Sequence, residues 1–141
     1  MSSSWLCVDA NLVIRLVADP AAMEVHRLWE QWDTARRQIA APALLYYEVT
    51  HALYRYQKQG FLGPASVQQA LEAALALPLR LYAEAELHKL ALDLAGRLSL
   101  PAAYDAHYLA LAERLGAELW TGDGRLARAV QASLPWVHLV Q

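Results

Sequence analysis

The chain has 141 residues, 57% of them hydrophobic, with 12 basic and 14 acidic side chains and a formal net charge of −2. That length suits one domain over residues 1–141 with a core of its own, and so high an apolar share implies that a partner covers part of the surface. No apolar run approaches the roughly 18 residues of a membrane helix, Met1-Ser2-Ser3-Ser4 lacks the basic start and apolar stretch of a signal peptide, and the single cysteine, Cys7, can close no internal disulfide, so a cytoplasmic protein without a membrane span is expected.

Trp5-Leu6-Cys7-Val8 reads as a short buried strand ending at Asp9. A short helix over 11–18 follows. Pro20 opens a second helix to about Arg37, with Val25, Leu28, Trp29 and Trp32 on one face. Gln38 to Ala41 is a weak second strand. Pro42 then begins a helix to about Gln59, closed by Gly60. Gly63-Pro64 turns into a helix over 65–76, and Leu79 to Tyr82 is a third strand. An amphipathic helix over 84–97 carries Leu87, Leu90, Ala91 and Leu94. Pro101 starts another that runs to Leu115 and stops at Gly116. Glu118 to Thr121 is a fourth strand, Gly122-Asp123-Gly124 a turn, 125–132 a helix, and Trp136 to Leu139 the last strand. Strands alternating with helices predict an α/β fold, a parallel sheet between helical layers. Ligands in such sheets bind beyond the carboxyl ends of the strands, at the switch point.

Four acids can reach that edge. Asp9 and Asp123 fall just past strand ends, and each has a plain alternative as a helix N-cap or turn residue. Glu48 interrupts the apolar stripe Leu44, Leu45, Val49, Ala52, Leu53 and Tyr56. An unpaired charge there is costly, and the structural alternative is a buried ion pair with a distant Arg. Asp105 sits in the second turn of the almost wholly apolar segment Ala102 to Ala112. The helix dipole explains the sign of its charge but not its place in a buried helix.

Two carboxylates about 4 Å apart repel by about 4 kcal/mol at an effective dielectric near 20. Four would raise one another's pKa and destabilise the fold unless a cation intervenes. An all-oxygen site suits Mg²⁺ or Mn²⁺, which can activate water and stabilise charge on a phosphodiester. Setting these four aside leaves 12 basic against ten acidic residues, a mildly basic remainder compatible with RNA. The five histidines form no ligand set: His107 points away from Asp105, and His51 is a surface neighbour of Glu48.

The segments Val8-Asp9-Ala10-Asn11-Leu12-Val13, Pro42 to Glu48, Tyr104 to Glu113 and Leu119 to Leu126 together resemble a PIN domain, specifically a VapC-type toxin of a toxin–antitoxin pair. The resemblance spans almost the whole chain, in the family's order and spacing. It implies a three-layer α/β/α domain with a mostly parallel sheet of about five strands, and a Mg²⁺- or Mn²⁺-dependent endoribonuclease. It maps Asp9, Glu48, Asp105 and Asp123 onto the metal-binding acids, with Asn11 and Thr121 supporting them by hydrogen bonds. It further implies a homodimer and a cognate antitoxin whose tail covers the active site, with the helix pair before and after Gly60-Phe61-Leu62-Gly63 as the expected gripping surface. Arg125 and Arg128 are placed to hold flanking phosphates of RNA, with a solvated helix face as the alternative.

Three rivals remain on the sequence. A phosphatase with Asp9 as nucleophile would want a second Asp where Asn11 stands. A receiver-like Mg²⁺ pocket would want a Lys after a late strand, and the two lysines, Lys58 and Lys89, fall in predicted helices. A catalytically silent PIN domain that only binds RNA or protein is the third.

Overall fold

The computed structural model describes residues 4–141; the N-terminal reading at Met1 to Ser3 lies outside them. In chain order the elements are β1 (Trp5–Val8), α1 (Ala10–Ala18), α2 (Met23–Thr34), β2 (Gln38–Pro42), α3 (Leu44–Lys58) and α4 (Pro64–Leu75). They continue as β3 (Leu79–Tyr82), α5 (Ala85–Arg97), α6 (Tyr104–Leu115), β4 (Glu118–Thr121), α7 (Gly124–Val130) and β5 (Val137–Leu139). The five strands form one sheet in the order β3-β2-β1-β4-β5, every neighbouring pair parallel. Helices α1 to α4 pack against one another, while α6 lies on β1, β2 and β4 with α5 packed on it. The expected α/β/α sandwich is therefore present. Among the described residues no helix is long and apolar enough to cross a membrane.

The central strands are buried on both faces, which accounts for their near-continuous apolar runs. Leu6, Cys7 and Val8 on β1 are fully buried, as are Ala40, Ala41 and Leu119 on its neighbours. Burial pushes the Cys7 thiol up to about 12, so it is an inert core group at neutral pH. Helix α6 is the most buried helix: Ala106 and every residue from Tyr108 to Ala112 are inaccessible or nearly so. It ends at Gly116, whose φ of 62° is left-handed, the conformation that glycine enters most easily.

Three predicted helix starts move, each for a local reason. Pro42 closes β2 instead of opening α3. It pairs with Tyr82 of β3, whereas pairing to β1 has ended at Ala40, so its missing N–H costs no ladder bond. Helix α2 begins at Met23 rather than at Pro20, because the Asp19 carboxylate accepts the Ala21 N–H at 3.0 Å and holds a turn there. It also ends at Thr34, three residues short of Arg37. Helix α6 begins at Tyr104 rather than at Pro101. The residues before it let the chain double back, with Ser99 at a φ of 52°, so that Arg114 and His107 meet Glu84 and His88 of α5. The last two elements are shorter than expected, α7 ending at Val130 and β5 starting at Val137. Leu90, expected on the core face of α5, is 39% exposed.

Candidate active site

The strand order reverses about β1: β2 and β3 lie on one side of it, β4 and β5 on the other. Asp9 leaves the end of β1 and Asp123 follows β4 by two residues. Glu48 is in the second turn of α3 and Asp105 in the first turn of α6, one turn earlier than a helix starting at Pro101 would put it. All four acids line one open cleft of about 480 Å³, together with Ala10, Asn11, Tyr108, Gly122, Gly124, Arg125 and Arg128.

Asp9 is the deepest acid, 7% exposed. It does cap α1: its Oδ1 accepts the Leu12 N–H at 3.2 Å. Its Oδ2 accepts the Thr121 hydroxyl. The cap and the cleft are thus the same residue's two roles, not alternatives. Desolvation pushes its carboxyl from 3.8 up to about 6, against hydrogen bonds from Thr121, Leu12 and Gly122 that favour the charged form; the Asp105 charge adds to the rise.

Asp123 likewise caps α7, its Oδ1 accepting Arg125 N–H at 3.0 Å and Leu126 N–H at 3.2 Å. Both bonds fall on one oxygen, which leaves Oδ2 for the cleft. Thr121 joins the two caps, since its Oγ1 also accepts the Asp123 N–H at 3.0 Å. This threonine is fully buried and is the only hydroxyl between the acids of β1 and β4 among the cleft's described hydrogen bonds. Thr121→Val should therefore leave a buried carboxylate oxygen and an amide without their partner, costing about 1–3 kcal/mol. Urea unfolding at neutral pH measures that loss.

Asp105 is half-buried, and its carboxyl is raised by desolvation, then by the charges of Asp123 and Glu48. With its influence on Asp9, it is the electrostatic hub of the four. Glu48 is half-buried, not sunk in the core, and its partner is Tyr108 rather than the distant Arg considered from sequence. The Tyr108 hydroxyl donates to Glu48 Oε1 at 2.5 Å. Tyr108 was missed by sequence reasoning. Its signal was a second tyrosine one turn after Asp105, in the most apolar stretch of the helix, since a buried Tyr needs a hydrogen-bond partner.

Asn11 lies on the cleft wall against Gly122, and among the described residues its side chain makes no hydrogen bond to an acid. A Cβ on Gly122 would meet Asn11 Oδ1 and sit 3.0 Å from the Arg15 guanidinium, so both side-chain ends would have to move aside for a larger residue. Arg15 reinforces the turn by donating to the carbonyls of Gly122 and Val140, at 3.2 and 3.3 Å. Arg125 and Arg128 are exposed on α7 and make no ion pair among the described residues. His107 faces away, bonded to the Ala103 carbonyl and to His88, and His51 is exposed. Lys58 and Lys89 stand exposed on α3 and α5 and do not line the cleft.

The donors are all carboxylate oxygens, with two of them raised by burial and mutual repulsion, which is the chemistry of a hard divalent cation. Among the described residues no three His, Cys, Asp or Glu side chains close tightly enough to wrap a bare ion.

The PIN domain model matches residues 6–131. The chain belongs to the PIN-domain family. VapC ribonuclease Mb0985 of Mycobacterium bovis and ribonuclease VapC9 of Mycobacterium tuberculosis are each 36% identical to this PIN domain over 106 residues, covering 72% of it and 81% of their own length. Two solved structures share the fold. A chain of a toxin–antitoxin complex from Klebsiella pneumoniae superposes with a TM-score of 0.68 at 20% identity, over 94% of each chain. PAE2754 from Pyrobaculum aerophilum gives 0.70 at 22% identity, over 98% of this PIN domain and 86% of its own chain.

Proposed function

We propose that this PIN domain is a divalent-metal-dependent endoribonuclease and the toxin of a toxin–antitoxin pair. The observation that carries the reading is the convergence of Asp9, Glu48, Asp105 and Asp123 on one cleft at the β1/β4 switch point, in a chain whose relatives are VapC ribonucleases. Asp9, Asp105 and Asp123 would hold Mg²⁺ or Mn²⁺, directly or through water. Bound there, the ion supplies an activated water and stabilises charge on the phosphodiester. Glu48 binds the same ion or orients the water that attacks in line. Asp9 and Asp123 are held by their caps, so both reach the reaction already oriented.

Arg125 and Arg128 are the cations of the cleft and hold the phosphates on either side of the bond that breaks. Alanine at each should weaken RNA binding and lower the salt dependence, by about 0.7 in the slope of log K against log salt for each phosphate of a single strand left unneutralised. Binding to a catalytically inert Asp9→Asn background at several salt concentrations reads this directly. An unchanged slope would return both arginines to a solvated helix face.

The antitoxin's apolar segment is expected in the groove between α1 and the α3–α4 connection. One part, about 390 Å³, is lined by Ile14, Ala18, Tyr56, Phe61 and Leu62 among others. An adjoining part of about 270 Å³ is formed with Val17, Gln69 and Ala70. Phe61 is 71% exposed, a share that suits an apolar partner. The reading includes a homodimer in the cytoplasm. Its test is cleavage of a structured RNA by the purified protein with Mn²⁺, with EDTA, and with the Asp9→Asn variant. Cleavage by wild type with Mn²⁺ alone is expected. RNA binding without cleavage would leave a silent PIN domain.

A further inference from the structure

Tyr108 is 1% exposed, yet its hydroxyl lies at the floor of the acid cleft. That oxygen donates to Glu48 Oε1 at 2.5 Å. One hydroxyl thus ties together two acid-bearing parts of the chain, α6 with Asp105 and α3 with Glu48. We propose that Tyr108 is a positioning residue whose hydroxyl holds the Glu48 carboxylate in its working place.

Three features support this. Glu48 comes from a helix that is half-exposed at this point and makes no hydrogen bond to the acid-bearing loops itself; among the described residues, Tyr108 is its hydrogen-bonding partner. A glutamate carries three side-chain torsions, so an unanchored carboxylate would lose orientation that the reaction needs. The bond uses one oxygen, Oε1, and leaves Oε2 for a cation or a water. Groups that orient a metal-binding side chain in this way typically matter roughly 10- to 100-fold in affinity or rate.

The proposal rests on the ribonuclease reading, and Tyr108→Phe tests it because only the hydroxyl is removed. Its kcat for RNA cleavage is expected to fall about 10- to 100-fold, with KM for RNA unchanged. Thermal unfolding should stay within a few degrees of wild type; a much larger drop would mean that the hydroxyl holds the fold rather than the acid, and would overturn the idea. In a Glu48→Gln background, Tyr108→Phe should add less than about a factor of two, since both act through one side chain. Full additivity would also overturn it. Calorimetric titration with Mn²⁺ separates the two readings. If wild type cleaves no RNA, the ribonuclease assignment fails, while about ten-fold weaker Mn²⁺ binding by Tyr108→Phe would still support the positioning role. Equal affinities without any loss of kcat, or binding to neither protein, would sink it.

Discussion

Asp9→Asn is expected to lower RNA cleavage by on the order of 10²–10³-fold or more while the protein still folds. The loss follows from position. Asp9 is the acid at the end of the central strand, and its charge is what a divalent ion or a developing phosphodiester charge is balanced against. Retention of the fold follows from the cap. Asn serves as an N-cap about as well as Asp, so the Leu12 N–H keeps an acceptor. Thr121 can turn its hydroxyl to the remaining oxygen or accept from the new amide. The comparison needs circular dichroism and a cleavage time course on the same preparations. Wild-type rates in the Asn variant would remove Asp9 from the site.

The second large effect is on stability, and its sign is opposite to the usual carboxylate. A salt-bridged Asp is stabilising at neutral pH; Asp9 is not, because its folded-state carboxyl is raised from 3.8 to about 6 by burial. Between those values the folded protein binds more protons than the unfolded chain, so stability falls as pH rises through that window. The full difference corresponds to about 3 kcal/mol, lost by pH 7 in metal-free protein. Asp105 is raised as well and acts in the same direction. Urea unfolding in EDTA should show wild type losing stability from pH 4 to pH 7 relative to Asp9→Asn, whose profile lacks this component. At neutral pH the Asn variant is then the more stable protein. Added Mn²⁺ should restore wild type, by about 2.7 kcal/mol at a concentration 100 times its dissociation constant, and affect Asp9→Asn far less. A wild type that gains stability relative to the variant between pH 4 and 7 would contradict the burial of an ionisable Asp9.

The cleft and the apolar groove differ in character. The cleft is polar, open and built on caps and a rigid sheet edge, so it presents charge without needing to move. The groove between α1, α3 and α4 lies on the other side of Arg15, whose guanidinium bonds the Gly122 carbonyl at the cleft. The high apolar content is partly explained by burial in α6 and the sheet. It is also visible on the surface, in Met23, Tyr47, Tyr54, Phe61 and Leu92, each more than half exposed.

Much of this was legible in the residues alone. Periodicity placed every strand and every helix, since buried parallel strands are short apolar runs and the helices are long or amphipathic enough to show a face. The apolar interruptions at Glu48 and Asp105 marked two of the four acids. What could not be read locally was decided by neighbours in space. Pro42 looks like a helix start until β3 is there to pair with it. The bare charge expected at Glu48 is satisfied by a hydroxyl sixty residues away. The approach of Asn11 to Gly122 exists only once β4 docks beside β1.

Asp9 and Asp123 show the division most clearly. Both are capping residues by sequence, and both remain so in the structure. Capping is a local property, set by a side-chain oxygen three residues from an N–H, so the chain encodes it without help. That the two caps face each other across Thr121 follows only when β4 docks beside β1. The four acids could be named from their positions in the chain. Their common cleft, and the repulsion that calls for a cation, exist only once the sheet has brought its strand ends together.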